Sequence, residues 1–245
     1  MKPEKARFGE QAINKIAEMA LASQLKEVEQ LEVQVKTDLS KLARGEVDFI
    51  AINVNDIVMQ QNLGVEKLQI QINRVSVKPL NALFGKIQLT QPSKGTALIV
   101  INEDNLNRAL NSELFKENLH NRQVFFESKR VAIALQQLKC CLLDNANIAF
   151  NSELILDKTG EATCAFTATP RIGTNGEKIV FQDVHYVEGK ELPPELTATL
   201  LAQVSEVLSL RSFDQKGITL RFQQLDVAAG KLILQAAAYI EQFPS

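Results

Sequence analysis

The chain has no tryptophan, two tyrosines, two histidines and three cysteines among its 245 residues. So few histidines and cysteines leave little material for a metal centre. The cysteines are Cys140, Cys141 and Cys164. Their count is odd, two are adjacent and there is no CxxC, so no disulfide framework is implied and a reducing compartment fits. Long apolar runs are missing: none approaches the ~18 residues of a membrane-crossing helix. The N-terminal MKPEKARFGEQ carries neither an apolar core nor a small-residue cleavage site, so a soluble, cytoplasmic chain is expected. The net charge of -2 argues against a dedicated nucleic-acid binder.

One absence is local. From Lys67 to Asn102 there is no Asp or Glu, while Lys67, Arg74, Lys78, Lys86 and Lys94 are present. At the chain's average acid frequency about four acids belong there. The stretch is either a solvated basic face or a local positive field with a purpose. Catalytic patterns are also missing: GxSxG, HExxH, a P-loop and GxGxxG do not occur. Asp183 and His185 would share a strand face, which reads as a polar surface pair rather than a metal site. Cys140-Cys141 reads as small buried hydrophobes. Glu103-Asp104 reads as helix-start charge rather than a catalytic pair. No enzyme is expected, and none of these residues implies a cofactor.

What is present is periodicity. Phe8 to about Lys26 has an amphipathic helical pattern, with Ile13, Ile16, Ala20 and Leu21 on its apolar side. Leu31, Val33 and Val35 alternate with polar residues, and GEVDFIAINV is apolar at positions of both parities, as in a strand covered on two sides. Leu68, Ile70 and Ile72 alternate with Gln69, Gln71 and Asn73, a half-buried strand that slips phase at Arg74, as at a bulge. Between Val77 and Leu89 a short turn carries Leu80, Leu83 and Phe84, flanked by Lys78 and Lys86. Asn102 reads as an N-cap for one helix or two short ones over EDNLNRALNSELFKENL. Strands follow, with turns at DNAN, DKTGE and Asn175-Gly176. PPELTATLLAQVSEVLSL is a helix opened by proline, and ITLRFQQLDV and KLILQAAAYI close the chain. Hairpins dominate, so the fold class is α+β with a largely antiparallel sheet. A sheet coiled around a helix would enclose an elongated apolar channel; a filled, ordinary core is the alternative.

GEQAINKIAEMALASQL, GVEKLQIQINRVSVKPLNALFGKIQLTQP, INEDNLNRALNSE, FTATPRI and LRFQQLDVAAGKLILQAAAYIEQ together resemble the LmeA-like phospholipid-binding family, in its cyanobacterial style, over about residues 8–243. The resemblance implies membership of the tubular lipid-binding superfamily: a long curved antiparallel sheet wrapped around the N-terminal helix, in one domain over 8–243 with pseudo-halves of about 8–95 and 96–243, after a flexible 1–7. It implies a non-catalytic phospholipid-binding or transfer protein, its channel lined by Ile13, Ile16, Ala20, Leu21, Leu68, Ile70 and Ile72. Lys78, Leu80, Leu83, Phe84 and Lys86 are the expected membrane or partner contact, unless that turn merely plugs the sheet. Exported relatives carry a leader or anchor; with none seen here, a cytoplasmic protein peripheral on a membrane is expected. The expected partners are a lipid or membrane surface, a protein at a membrane, and no nucleic acid. The alternative function is a membrane-associated interaction or assembly factor with a filled channel.

Overall fold

In the computed structural model the described residues are Asn14, Lys15, Glu18 and residues 28–78, 89–120, 122, 124–126, 129–156, 160–210, 217–228 and 230–241. Among them, antiparallel strands dominate, as the alternating patterns require. The first sheet has six strands in the order β1-β2-β3-β4-β12-β11. These are β1 (Val28–Lys36), β2 (Glu46–Val58), β3 (Gly64–Ser76), β4 (Ser93–Asn102), β11 (Ile218–Ala228) and β12 (Lys231–Ile240). The second has the order β10-β9-β8-β7, from β7 (Ile133–Leu142), β8 (Ile148–Leu156), β9 (Gly160–Ile172) and β10 (Ile179–Tyr186). A short pair, β5 (Val124–Phe126) and β6 (Lys129–Val131), stands apart. The helices are α1 (Leu39–Ala43), α2 (Glu103–Leu110), α3 (Glu113–His120) and α4 (Pro194–Val207). β4 straddles residue 96, and β11 and β12 return from the far end of the chain to complete the sheet that β1–β4 begin.

The turns follow the glycine and asparagine signals. Gly160, Gly176 and Gly230 take positive φ at three hairpins, where a Cβ would be strained. The phase slip at Arg74 is real: this residue sits at φ 54 near the end of β3. EDNLNRALNSELFKENL splits into α2 and α3, and the Asn102 side chain accepts a hydrogen bond from Asn105 N–H at 2.8 Å, as an N-cap does. The reading of β2 as covered on both sides needs correction. Ile50, Ile52 and Val54 lie on the core face, whereas Phe49 on the opposite face is half-buried, with Lys36 Nζ 5.5 Å from its ring centroid.

Both sheets have an otherwise free edge met by helical side chains. Along α2 and its C-cap, Glu103, Asn107 and Asn111 stand one helical turn apart, about 6 Å. Along β7, the outward backbone groups of Leu142, Cys140 and Leu138 repeat every second residue, about 6.7 Å. The spacings match. Leu142 N–H donates to Glu103 at 2.8 Å. The Asn107 amide accepts from Cys140 N–H at 2.8 Å and donates to Cys140 C=O at 2.9 Å. Asn111 does the same to Leu138, at 3.0 and 2.6 Å. Each asparagine therefore acts as a peptide group of a missing neighbouring strand. Glu103 thus stands in the first turn of α2, where helix-start charge is expected, and also binds the edge of β7. β1 is treated alike: Val35 N–H donates to Asn14 at 2.8 Å and Val33 N–H to Glu18 at 3.4 Å.

A single apolar cluster joins the inner faces of both sheets to α2, α3 and α4. Leu106, Leu110, Leu119, Leu196 and Val204 are essentially inaccessible. Phe150 and Phe166 stack at 5.2 Å, with Phe181 edge-on to Phe150 at 5.6 Å. The two sheets are stitched where the β9–β10 hairpin meets β11: Phe222 N–H donates to Gly176 C=O at 2.6 Å, and Arg221 pairs with Glu177 at 3.2 Å.

Candidate functional site

Cross-strand partners in a sheet share a face, so the register of the six-stranded sheet lays its inner residues out in rows. One row runs Leu31, Val54, Leu68, Ile99, Leu234, Leu225. The next runs Val33, Ile52, Ile70, Ala97, Ala236, Phe222. The third runs Val35, Ile50, Ile72, Gly95, Ala238, Leu220. Every position is apolar or glycine, so six strands present one continuous greasy face.

Residue size varies across this face in an ordered way. On β4 and β12 the second and third rows carry Ala97, Ala236, Gly95 and Ala238, flanked by Ile70 and Ile72 on β3 and by Phe222 and Leu220 on β11. Small residues between large ones make a trough two strands wide, about 10 Å. Gly95 is required by the close approach of β3: a Cβ there would lie 2.6 Å from the Gln71 carbonyl oxygen. β3 and β4 therefore approach closely at this position, and Gly95, Ala97, Ala236 and Ala238 are all buried.

One end of the trough is closed. Ile99, Ile101, Leu234, Val65 and Leu63 pack against Val207 and Leu208 at the end of α4, leaving a gap of about 10 Å³. This is barely the space of one water. On the β1–β3 side the face is less covered: Leu31, Ile50, Ile52 and Ile70 are only half-buried.

Leu68, Ile70 and Ile72 thus occupy three successive rows on one face, Leu68 and Ile72 buried and Ile70 half-buried. Ile13, Ile16, Ala20 and Leu21 lie outside the described residues, as do Leu80, Leu83, Phe84 and Lys86. Lys78 is described and exposed. The sequence reading missed Gly95, Ala97, Ala236 and Ala238. Their signal was the small residue at alternate positions in KGTAL and LQAAAY, which is weak until the register aligns the two strands.

The other candidate chemistries recede. Asp183 and His185 do not share a regular strand face, because Asp183 sits at φ 51 inside a register shift between Gln182 and His185. No cluster of three metal-ligating residues exists among the described residues. Burial pushes the Cys140 thiol up to about 12 and that of Cys164 to about 11, so neither is a nucleophile at neutral pH. Glu66 is the opposite case: Lys231 Nζ at 2.6 Å holds its carboxyl below the usual range. Among the described residues no helix is long and apolar enough to cross a membrane.

Comparison with known proteins agrees with the apolar face. No significant match is found among curated proteins or among solved structures. A family model described as LmeA-like phospholipid-binding matches residues 5–237, nearly the whole chain and every position of the three rows except Ala238. The chain belongs to the LmeA-like phospholipid-binding family.

Proposed function

We propose that this protein is a phospholipid carrier that shelters an acyl chain against the trough of the six-stranded sheet. Ala97, Ala236, Gly95 and Ala238 form its floor, and Ile70, Ile72 and Leu68 its wall. Ile13, Ile16, Ala20 and Leu21, from the amphipathic N-terminal pattern, are the further candidates for lining it. Each methylene withdrawn from water contributes about 0.8 kcal/mol, so a long chain needs little else to be held. The observation that carries this reading is the unbroken apolar face with a block of small residues on β4 and β12, in a chain whose family binds phospholipid. The tail enters from the half-covered β1–β3 side and stops at the filled end under Val207 and Leu208. The role is binding and carrying, with no reaction at the lipid.

The test is native mass spectrometry with solvent extraction of the purified protein, beside the variant Ala97→Phe/Ala236→Phe, which fills the trough. Wild type is expected to release phospholipid, and the variant to release little while still unfolding cooperatively. Wild-type protein that neither retains phospholipid nor takes it up from vesicles overturns the proposal.

A further inference from the structure

The outer face of the same sheet carries a second ordered row. At one end, cross-strand partners run Lys36, Phe49, Asn73, Lys94, Tyr239, Thr219, one residue from each of the six strands. Lys36, Asn73, Lys94 and Thr219 are exposed, Phe49 is half-buried under Lys36, and Tyr239 is 39% exposed. The row contains two lysines, two aromatic rings and no acid. Six strands make it about 24 Å wide. Two rows inward, the corresponding residues are Glu32, Asn53, Gln69, Leu98, Gln235 and Gln224, with no lysine or aromatic ring.

The surroundings extend the positive field. Arg74 and Lys78 follow Asn73 on β3 and just beyond it; both are exposed, and among the described residues neither forms an ion pair. The acids at this end of β2 are already engaged. Lys41 contacts Asp48 at 2.8 Å and Asp38 at 4.0 Å, and Arg44 contacts Glu46 at 3.4 Å. Glu241 lies two residues beyond Tyr239 and is exposed.

Lysines interleaved with aromatic rings at one level suit the headgroup layer of a bilayer: the rings sit among the glycerol and carbonyl groups while the ammonium groups meet phosphate. We propose that this end row is the face on which the protein rests on an anionic membrane, with Lys36, Lys94, Arg74 and Lys78 contacting phosphate and Tyr239 and Phe49 set at the interface. The proposal extends the lipid-binding reading, because the row stands at the same end of the sheet as Gly95 and Ala238 of the trough. Contact there brings this end of the apolar face close to the lipid source, while the filled end under α4 lies at the other end of the rows.

The experiment is co-sedimentation with vesicles of phosphatidylcholine alone and of phosphatidylcholine mixed with phosphatidylserine, at low and high salt. Wild type is expected to bind only the mixed vesicles and to leave them as salt rises. Each lysine near an anionic surface is worth about a fivefold change in partition, so Lys36→Glu/Lys94→Glu is expected to weaken binding by at least ~25-fold. Tyr239→Ser weakens it further. Lys139→Glu/Lys190→Glu, an equal charge change at exposed positions outside this sheet, leaves binding unchanged. Equal weakening by both pairs, no effect of the first pair, or no vesicle binding by wild type overturns the proposal. So does an end row that captures a protein but ignores vesicles. Circular dichroism confirms that each variant is folded. Extraction of bound lipid separates the two ideas: intact vesicle binding without retained lipid counts against the trough alone, and retained lipid without vesicle binding counts against the docking row alone.

Discussion

A single backbone approach decides what residue 95 can be. The Gln71 carbonyl leaves no room for a side chain there, so Gly95→Ala forces β3 and β4 apart locally. We expect it to cost about 1–3 kcal/mol, read as a lower urea midpoint with little change in slope. Glu66 shows the same dependence on a neighbour in electrostatic form. Its folded value lies below its ordinary 4.5 because of Lys231. The stability it adds is therefore present above pH 4.5 and is lost as pH falls through the lowered folded value. Both groups are partly exposed, so the effect is under about 1 kcal/mol. Glu66→Gln should be less stable than wild type at neutral pH in urea titrations, and the difference should shrink on acidification below 4.5. A difference independent of pH would show that the ion pair is not its source.

At the scale of elements, the feature that organises this fold is a helix lying along a strand edge. An uncovered edge exposes unpaired backbone groups and invites pairing with other chains. Here α2 covers β7 with five hydrogen bonds of 2.6–3.0 Å from Glu103, Asn107 and Asn111. Asn107→Leu keeps the volume but orphans the N–H and C=O of Cys140. We expect a loss of about 2–4 kcal/mol in urea unfolding. Asn14→Ala, which frees only Val35 N–H, is expected to cost about 0.5–1.5 kcal/mol. A similar small cost at both positions would mean that the edge contacts are incidental. The periodicity of α2 was legible, since Asn102 and the acids after it mark its start. Its seam was not: three polar residues at i, i+4 and i+8 look like a solvated helix face until β7 is placed beside them.

Over the whole molecule, chain order and sheet order differ, and this sets what can be removed. β12 pairs with β4 through ten register positions and β11 continues from it, so the last two strands of the chain complete the sheet that the first four begin, and β11 forms its edge. A chain ending after Leu210 would leave β4 as a bare edge and uncover Ile99, Ile101 and Ala97. We expect that truncation to be insoluble or to lose its cooperative unfolding; a soluble, cooperative fragment would show that β1–β4 fold independently of β11–β12.

The sequence by itself determined the class of structure and the family: alternating apolar residues, hairpin signals at Asn175-Gly176 and elsewhere, and the distributed segments that carry the family resemblance. Period-2 patterning is local, so it survives in a one-dimensional reading and correctly places Leu68, Ile70 and Ile72 on one face. Only the tertiary structure decided which strands are neighbours. Pairing β4 with β12 collects Gly95, Ala97, Ala236 and Ala238, about 140 residues apart in the chain, into one trough. The same pairing sets Lys94 beside Tyr239, and the β1–β2 register sets Lys36 beside Phe49. These groupings arise from long-range backbone hydrogen bonding, and nothing within a single strand's pattern encodes its neighbour across the sheet.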